Sequence, residues 1–336
     1  MSLMSLATAL ASCARDESAA STKRVNLSGA GATFPYPLYR AWFARYGDSA
    51  GVRINYFSVG SAEGLRLFAR GDVDFGAMDG RRRPPVNDRG DGCGQVAVPM
   101  VRGPVAVAYN LPTLRNAVLV LDAAVLAGIY RGRVTRWDAA PIARLNRSLT
   151  LPPLPITAIH RASGSGTGRA FSEYLATSRE WLPDAAEGDV RWPVGIAAEG
   201  NESAAADVQV TVGAIGFMEL TYARQNRLSI AALLDDAGRP LQPGQDAPGY
   251  PVMAQTWLLF DPARTSETKV RALIGFARWA LRDGAAIAAE LEYDAMPRDT
   301  VAHYDSVLAA LSLRRCATAI SGPAASAKVA ASGPAP

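Results

Sequence analysis

Residues 53–79 read RINYFSVGSAEGLRLFARGDVDFGAMD. Arg53 to Phe57 reads as a strand. Gly60-Ser61-Ala62-Glu63-Gly64 is a turn that opens a helix over Ala62 to Ala69. Val73 to Ala77 is a short buried strand. Strand, helix and strand in succession argue for an α/β fold with a largely parallel sheet.

The same alternation continues on both sides. Upstream, Val25-Asn26-Leu27 is a short strand, followed by a glycine-rich turn and a helix from Leu38 to Tyr46. Downstream, Val96 to Tyr109 is mostly apolar and is expected to be broken by Pro99 and Gly103-Pro104. Ile156 to His160 reads as a strand and Gly168 to Leu175 as a helix; Ala214 to Met218 and Trp257 to Phe260 are further strands. The clearest helix runs from Ser266 to Leu281, where Val270, Leu273, Ile274, Ala277 and Leu281 fall on one face at helical spacing.

Three turns each follow a strand and precede a helix: Gly29-Ala30-Gly31-Ala32-Thr33-Phe34-Pro35, Gly60-Ser61-Ala62-Glu63-Gly64, and Arg161-Ala162-Ser163-Gly164-Ser165-Gly166-Thr167-Gly168. The first N–H groups of a helix have no intrahelical partner, and the helix dipole places about half a positive charge there. Glycine lets backbone approach a ligand closely, and Ser and Thr add donors. A phosphate or sulfate suits such turns, and Arg161 offers a fork of donors for two oxygens of an oxyanion. One such turn alone does no more than cap a helix; three, one carrying an arginine, point to an oxyanion site. Asp79 closes a strand beside them. A carboxylate facing that site repels a fully ionised sulfate and accepts a hydrogen bond from a ligand that keeps a proton. Phosphate keeps one near neutrality, its second pKa lying near ~6–7. A site built on that bond rejects the isostere lacking it.

Other classes are excluded or weakened. The 336 residues suffice for two medium domains or one large one, and the 49% hydrophobic and 20% charged composition is that of a globular protein. A net charge of +4, with one tight basic cluster at Arg81-Arg82-Arg83 beside Pro84-Pro85, reads as a solvated loop and not as a nucleic-acid surface. Three cysteines without a CxxC pair, and only His160 and His303 as histidines, argue against a zinc site, and no cofactor motif is found. A serine hydrolase needs Gly-x-Ser-x-Gly, whereas the residues around Ser165 are Ser163-Gly164-Ser165-Gly166-Thr167. A P-loop needs Gly-Lys-Ser/Thr, whereas Gly168 is followed by Arg169-Ala170. Leu10-Ala11-Ser12-Cys13 looks like a lipobox, although no Lys or Arg precedes it. Acylation of Cys13 is expected, residues 1–13 forming the signal, 14–23 a tether and 316–336 a disordered tail. Cys93 and Cys316 remain, either paired or both free.

At these turns the chain resembles the phosphate-binding proteins of bacterial phosphate-specific ABC transporters. The stretches are GAGATFPYPLY (29–39), GSAEG (60–64), DVDFGAMD (72–79), the LNRSLTLP region with HRASGSGT (160–167), VGAIGFMEL (212–220) and LEYDAMP (291–297), in the family's order across residues 27–313. The resemblance implies a two-lobed periplasmic-binding-protein fold of type II, each lobe a central mixed sheet flanked by helices. Lobe one would hold residues 24–105 and 256–315 and lobe two 106–255, with a hinge between them. It implies phosphate contacts from Thr33 and Phe34, Ser61, the acceptor Asp79, and a clamp of Arg161, Ser165, Gly166 and Thr167. It implies a monomer, lipid-anchored in the periplasm or on an extracytoplasmic membrane surface, that serves an ABC permease and ATPase, and no enzyme. The alternative is a same-fold oxyanion-binding or phosphate-sensing surface lipoprotein outside transport. Departures are Ser163 where relatives often carry Asp, Glu63 where a second Gly is common, Met78 where Ser is common, and the segment 80–95.

Overall fold

The computed structural model describes residues 24–80, 83–86, 94–114, 117–181, 190–244 and 248–311. Cys13, the 14–23 tether, Arg81, Arg82, Cys93, Cys316 and the 316–336 tail lie outside the described residues.

The elements in chain order are β1 (Val25–Gly31), α1 (Tyr36–Ala50), β2 (Val52–Ser58), α2 (Ser61–Arg70), β3 (Phe75–Asp79), β4 (Val96–Tyr109), β5 (Val120–Leu121), α3 (Ala123–Tyr130) and α4 (Ala140–Leu145). There follow β6 (Thr157–Arg161), α5 (Gly166–Leu175), β7 (Ile196–Ala198), α6 (Asn201–Val210), β8 (Ala214–Glu219), α7 (Leu220–Gln225), β9 (Ser229–Ile230), β10 (Ala232–Leu234) and β11 (Pro240–Leu241). The last are β12 (Met253–Phe260), α8 (Glu267–Arg282), α9 (Ala285–Glu290) and α10 (Arg298–Ala310).

The main sheet runs β2-β1-β3-β12-β4-β8-β6-β7, with β9 also on β4; β11-β10-β5 form a small second sheet. β1 is parallel to β2 and β3, and β6 to β7 and β8, while β12 and β4 run antiparallel to their neighbours. The sheet is therefore mixed, with helices packed on both faces. Along β3, Phe75 and Ala77 face the large core that holds α1 and α8, and Met78 faces the core beneath α2. Along the second part of β4, Val105, Val107 and Tyr109 face the large core, and Ala106 and Ala108 face the one beneath α6. α8 follows its sequence pattern, burying Val270, Leu273, Ala277 and Leu281 together with Phe276 and Ala280.

Two expectations fail instructively. Gly29 to Gly31 belong to β1 and not to a turn, so the first turn begins only at Ala32. The glycines serve packing: a Cβ on Gly29 would lie 2.1 Å from the Phe75 ring, and one on Gly31 would lie 1.9 Å from the Ala77 carbonyl oxygen. Nor is Val96–Tyr109 broken; β4 is one strand of 14 residues. Its prolines sit where the ladder asks for no N–H. Pro99 pairs with Trp257 beside the register irregularity between Thr256 and Trp257. Pro104 ends the pairing with β12, and from Val105 onward the strand pairs with β8. One strand thus serves both parts of the sheet and changes partner at Pro104.

Candidate functional site

The site lies at the carboxyl ends of β1, β3 and β6, beside the N-termini of α2 and α5. Asp79 is its centre. It is the last residue of β3 and is buried, 2% exposed. Its backbone N–H donates to Ser61 Oγ at 3.2 Å, and Thr256 donates from its hydroxyl to Asp79 Oδ1 at 3.0 Å. Gly166, first residue of α5, is pressed against it: a Cβ there would come within 2.5 Å of the Asp79 carbonyl oxygen. Burial pushes the Asp79 carboxyl from its ordinary 3.8 up to about 7; the Thr256 bond, the Arg161 charge and the Thr167 hydroxyl beside it pull it back. At neutral pH this carboxyl is poised between acceptor and donor.

Arg161 ends β6 and is also 2% exposed. Its Nη2 donates to the Glu199 carbonyl at 2.8 Å, its Nε to the Ala198 carbonyl at 3.3 Å, and Nη2 lies 3.5 Å from Thr33 Oγ1. Nη1 is buried and meets no acceptor among the described residues. Burial lowers the guanidinium's pKa, with the Asp79 charge the largest influence in the other direction. No ion pair to Arg161 occurs among the described residues, and Ser163 lines one cavity with it. A buried, incompletely satisfied cation beside two helix N-termini is a strong anion receptor.

All eight expected site residues meet here. Thr33 and Phe34 follow β1; Ser61 opens α2; Ser165 caps α5, its Oγ accepting from the Gly168 N–H at 3.1 Å; Gly166 and Thr167 form the first turn of α5. The Phe34 carbonyl accepts from Tyr293 and the Thr33 carbonyl from Tyr222, at 2.9 and 2.7 Å. The second and third turns touch, Ala62 N–H donating to the Gly164 carbonyl at 3.2 Å. Above them a cavity of about 370 Å³ is lined by Val59, Glu63, Arg66, Arg161, Ser163 and Glu199. A larger groove of about 720 Å³ lies between α1 and β2 and contains none of the site residues. Its size does not bear on the anion site. His160 stacks on Trp192 at 5.7 Å, and its Nδ1 lies 3.0 Å from the Arg161 carbonyl oxygen.

Five contributors escaped the sequence reading: Asn201, Glu219, Tyr222, Thr256 and Tyr293. Asn201 had a legible signal, since Gly200-Asn201 before an Ala-rich stretch is a fourth turn opening a helix. Thr256 had none; only its register opposite Asp79 brings it in. Glu219 is fully buried, accepts from the Thr221 N–H at 2.9 Å and hydroxyl at 3.0 Å, and is pushed by burial from 4.5 up to about 8. Between those values the folded protein binds more protons than the unfolded chain, so stability falls as pH rises. Asp79 acts in the same sense from 3.8 to about 7. The melting temperature of the unliganded protein is therefore expected to drop from pH 5 to pH 8 on this account, and Glu219→Gln to flatten the fall. An equally steep fall in the variant would remove Glu219 as its source.

Gly166 supplies a second test. A Cβ there would meet the Asp79 carbonyl oxygen at 2.5 Å, so either α5 or Asp79 must move out of place. Gly166→Ala is expected to abolish most anion affinity while the far-ultraviolet circular dichroism stays unchanged. Retained affinity would mean that Asp79 and α5 need not close on one another.

Among the described residues no helix is long and apolar enough to cross a membrane, and no group of three or more His, Cys, Asp or Glu could hold a metal ion. Residues 16–283 match the family model described as a PBP superfamily domain. The phosphate-binding protein PstS of Xylella fastidiosa is 33% identical over 312 residues, spanning 84% of this chain and 85% of that one. That of Pasteurella multocida is 30% identical over 311 residues, spanning 84% and 90%. The crystal structure of a phosphate ABC transporter substrate-binding protein from Clostridium perfringens, solved with bound phosphate, superposes with a TM-score of 0.61 at 19% identity, covering 81% of this chain and 100% of its own.

Proposed function

Because the chain belongs to the PBP superfamily and to its PstS-like phosphate-binding proteins, we propose that it captures inorganic phosphate and delivers it to an ABC importer, as a binding protein and not an enzyme. The observation that carries this reading is Asp79, a buried carboxyl at the focus of Arg161 and two helix N-termini. Everything else in the site attracts any oxyanion. Asp79 alone asks the guest to bring a hydrogen.

The roles we assign are these. Thr33, the Phe34 backbone N–H and Ser61 bind from one side; Arg161, Ser165, Gly166 and Thr167 close from the other; Asp79 accepts from the phosphate hydroxyl. The lobes we assign meet where β4 changes partner at Pro104, with the return crossing where β12 begins at Met253. That supports residues 24–105 with 256–315 as one lobe and 106–255 as the other, apart from the few residues that lead into β12. The Ala62–Gly164 bond joins the lobes in the closed state. Closure excludes water and strengthens each bond to the anion. A substrate-binding protein that serves an importer works where the importer takes up its cargo, which supports an extracytoplasmic station. Acylation of Cys13 would tether a monomer there within reach of a permease and its ATPase.

Titration calorimetry with phosphate, sulfate and molybdate tests the reading. Phosphate should bind far more tightly than the other two. Sulfate binding as tight as phosphate would overturn the role of Asp79.

A further inference from the structure

Thr33 and Asn201 belong to opposite sides of the cleft and are both buried, at 2% and 0% exposure. Asn201 Nδ2 lies 2.7 Å from Thr33 Oγ1, and the Asn201 backbone N–H, which has no intrahelical partner in the first turn of α6, donates to the same oxygen at 3.1 Å. The orientation of the amide is fixed independently. Asn201 Oδ1 accepts from the Glu219 backbone N–H at 2.9 Å, and an N–H faces only an acceptor. The other end of the amide, turned toward Thr33, is therefore the donor.

A hydroxyl oxygen has two lone pairs and one proton. Asn201 fills both lone pairs of Thr33. The remaining neighbour of that oxygen, Arg161 Nη2 at 3.5 Å, is also a donor. Every group that hydrogen-bonds to Thr33 Oγ1 among the described residues donates to it, which leaves its own proton for a bound anion. We propose that Asn201 is a positioning residue that makes Thr33 an obligate donor toward the bound anion and ties the two lobes together as it does so. This inference rests on the phosphate-binding reading. It divides the ligand's oxygens by role: Thr33 selects an oxygen without a proton, and Asp79 selects one that carries a proton.

The test is a double-mutant cycle on the full chain, read by calorimetry with inorganic phosphate. Asn201→Ala and Thr33→Val are each expected to weaken binding about tenfold or more, and the double variant by no more than about twofold beyond the worse single. Melting temperatures report any general loss of stability separately. Losses that multiply, or an Asn201→Ala protein that binds within about twofold of the parent, overturn the inference. If Asn201→Ala does not fold, the isosteric Asn201→Asp replaces it in the cycle. Its carboxylate draws the Thr33 proton away from phosphate, so its penalty should shrink about fivefold or more in the Thr33→Val background, where only the added charge remains. An undiminished penalty overturns the inference. A parent protein that does not bind phosphate removes the functional reading and this inference together; binding with an additive cycle removes only the role of Asn201.

Discussion

Replacing Arg161 with alanine is expected to weaken phosphate binding on the order of 100-fold or more. The guanidinium is buried, is held by the carbonyls of Ala198 and Glu199, and keeps Nη1 without an acceptor among the described residues. Truncating one member of a buried charge-assisted pair costs ~2–5 kcal/mol, and each ~1.4 kcal/mol is tenfold in affinity. Arg161→Lys separates charge from geometry: it keeps the cation but loses the two-pronged fork, and should fall between parent and alanine variant. Calorimetry at fixed ionic strength decides. Binding within about twofold of the parent in Arg161→Ala would place the clamp elsewhere.

The second large effect concerns selectivity. Asp79→Asn is expected to reduce the preference for phosphate over sulfate by about 100-fold or more, a fraction of the 10⁴–10⁵ that a dedicated hydrogen-bonding site attains. The amide can donate as well as accept, so a sulfate oxygen facing it is no longer left against a bare carboxylate. The pKa of about 7 sharpens the expectation for the parent protein. Below that pH the carboxyl carries its own proton and can donate it to sulfate. Sulfate affinity should therefore rise as pH falls, approaching about tenfold per pH unit above the pKa and levelling off below it, as one linked proton requires. The amide of the Asp79→Asn variant does not titrate, so sulfate affinity in that variant should lack this slope. Equal slopes in the two proteins would show that the proton is taken up elsewhere.

Much of this architecture is legible in the chain because it is local. The strand–turn–helix units around Thr33, Ser61 and Arg161 announce themselves by glycine and hydroxyl residues placed between an apolar run and a periodic one. The helix over residues 267–282 follows from spacing alone. The misreadings have a common cause, which is that a neighbour in space overrides local preference. Gly29 and Gly31 look like turn residues but make room for Phe75 and Ala77. Pro99 and Pro104 look like breaks but fall at a bulge and at a change of partner. Thr256 acquires its role only through pairing with a strand from the other end of the chain. Asn201 is legible in the chain, since it follows Gly200 at the start of α6 as Ser61 follows Gly60 at the start of α2.

The position of β12 bears on how the molecule comes into being. Residues 256–260 pair with residues 75–79 on one side and with 96–101 on the other, so a late segment becomes an interior strand of a sheet begun near the N-terminus. Until about three quarters of the polypeptide has emerged, β3 and β4 stand apart with bare edges. Pairings this distant in sequence make for slow acquisition of structure. A chain cut short before Met253 should accordingly accumulate as an aggregating, protease-sensitive species and not as a smaller folded product.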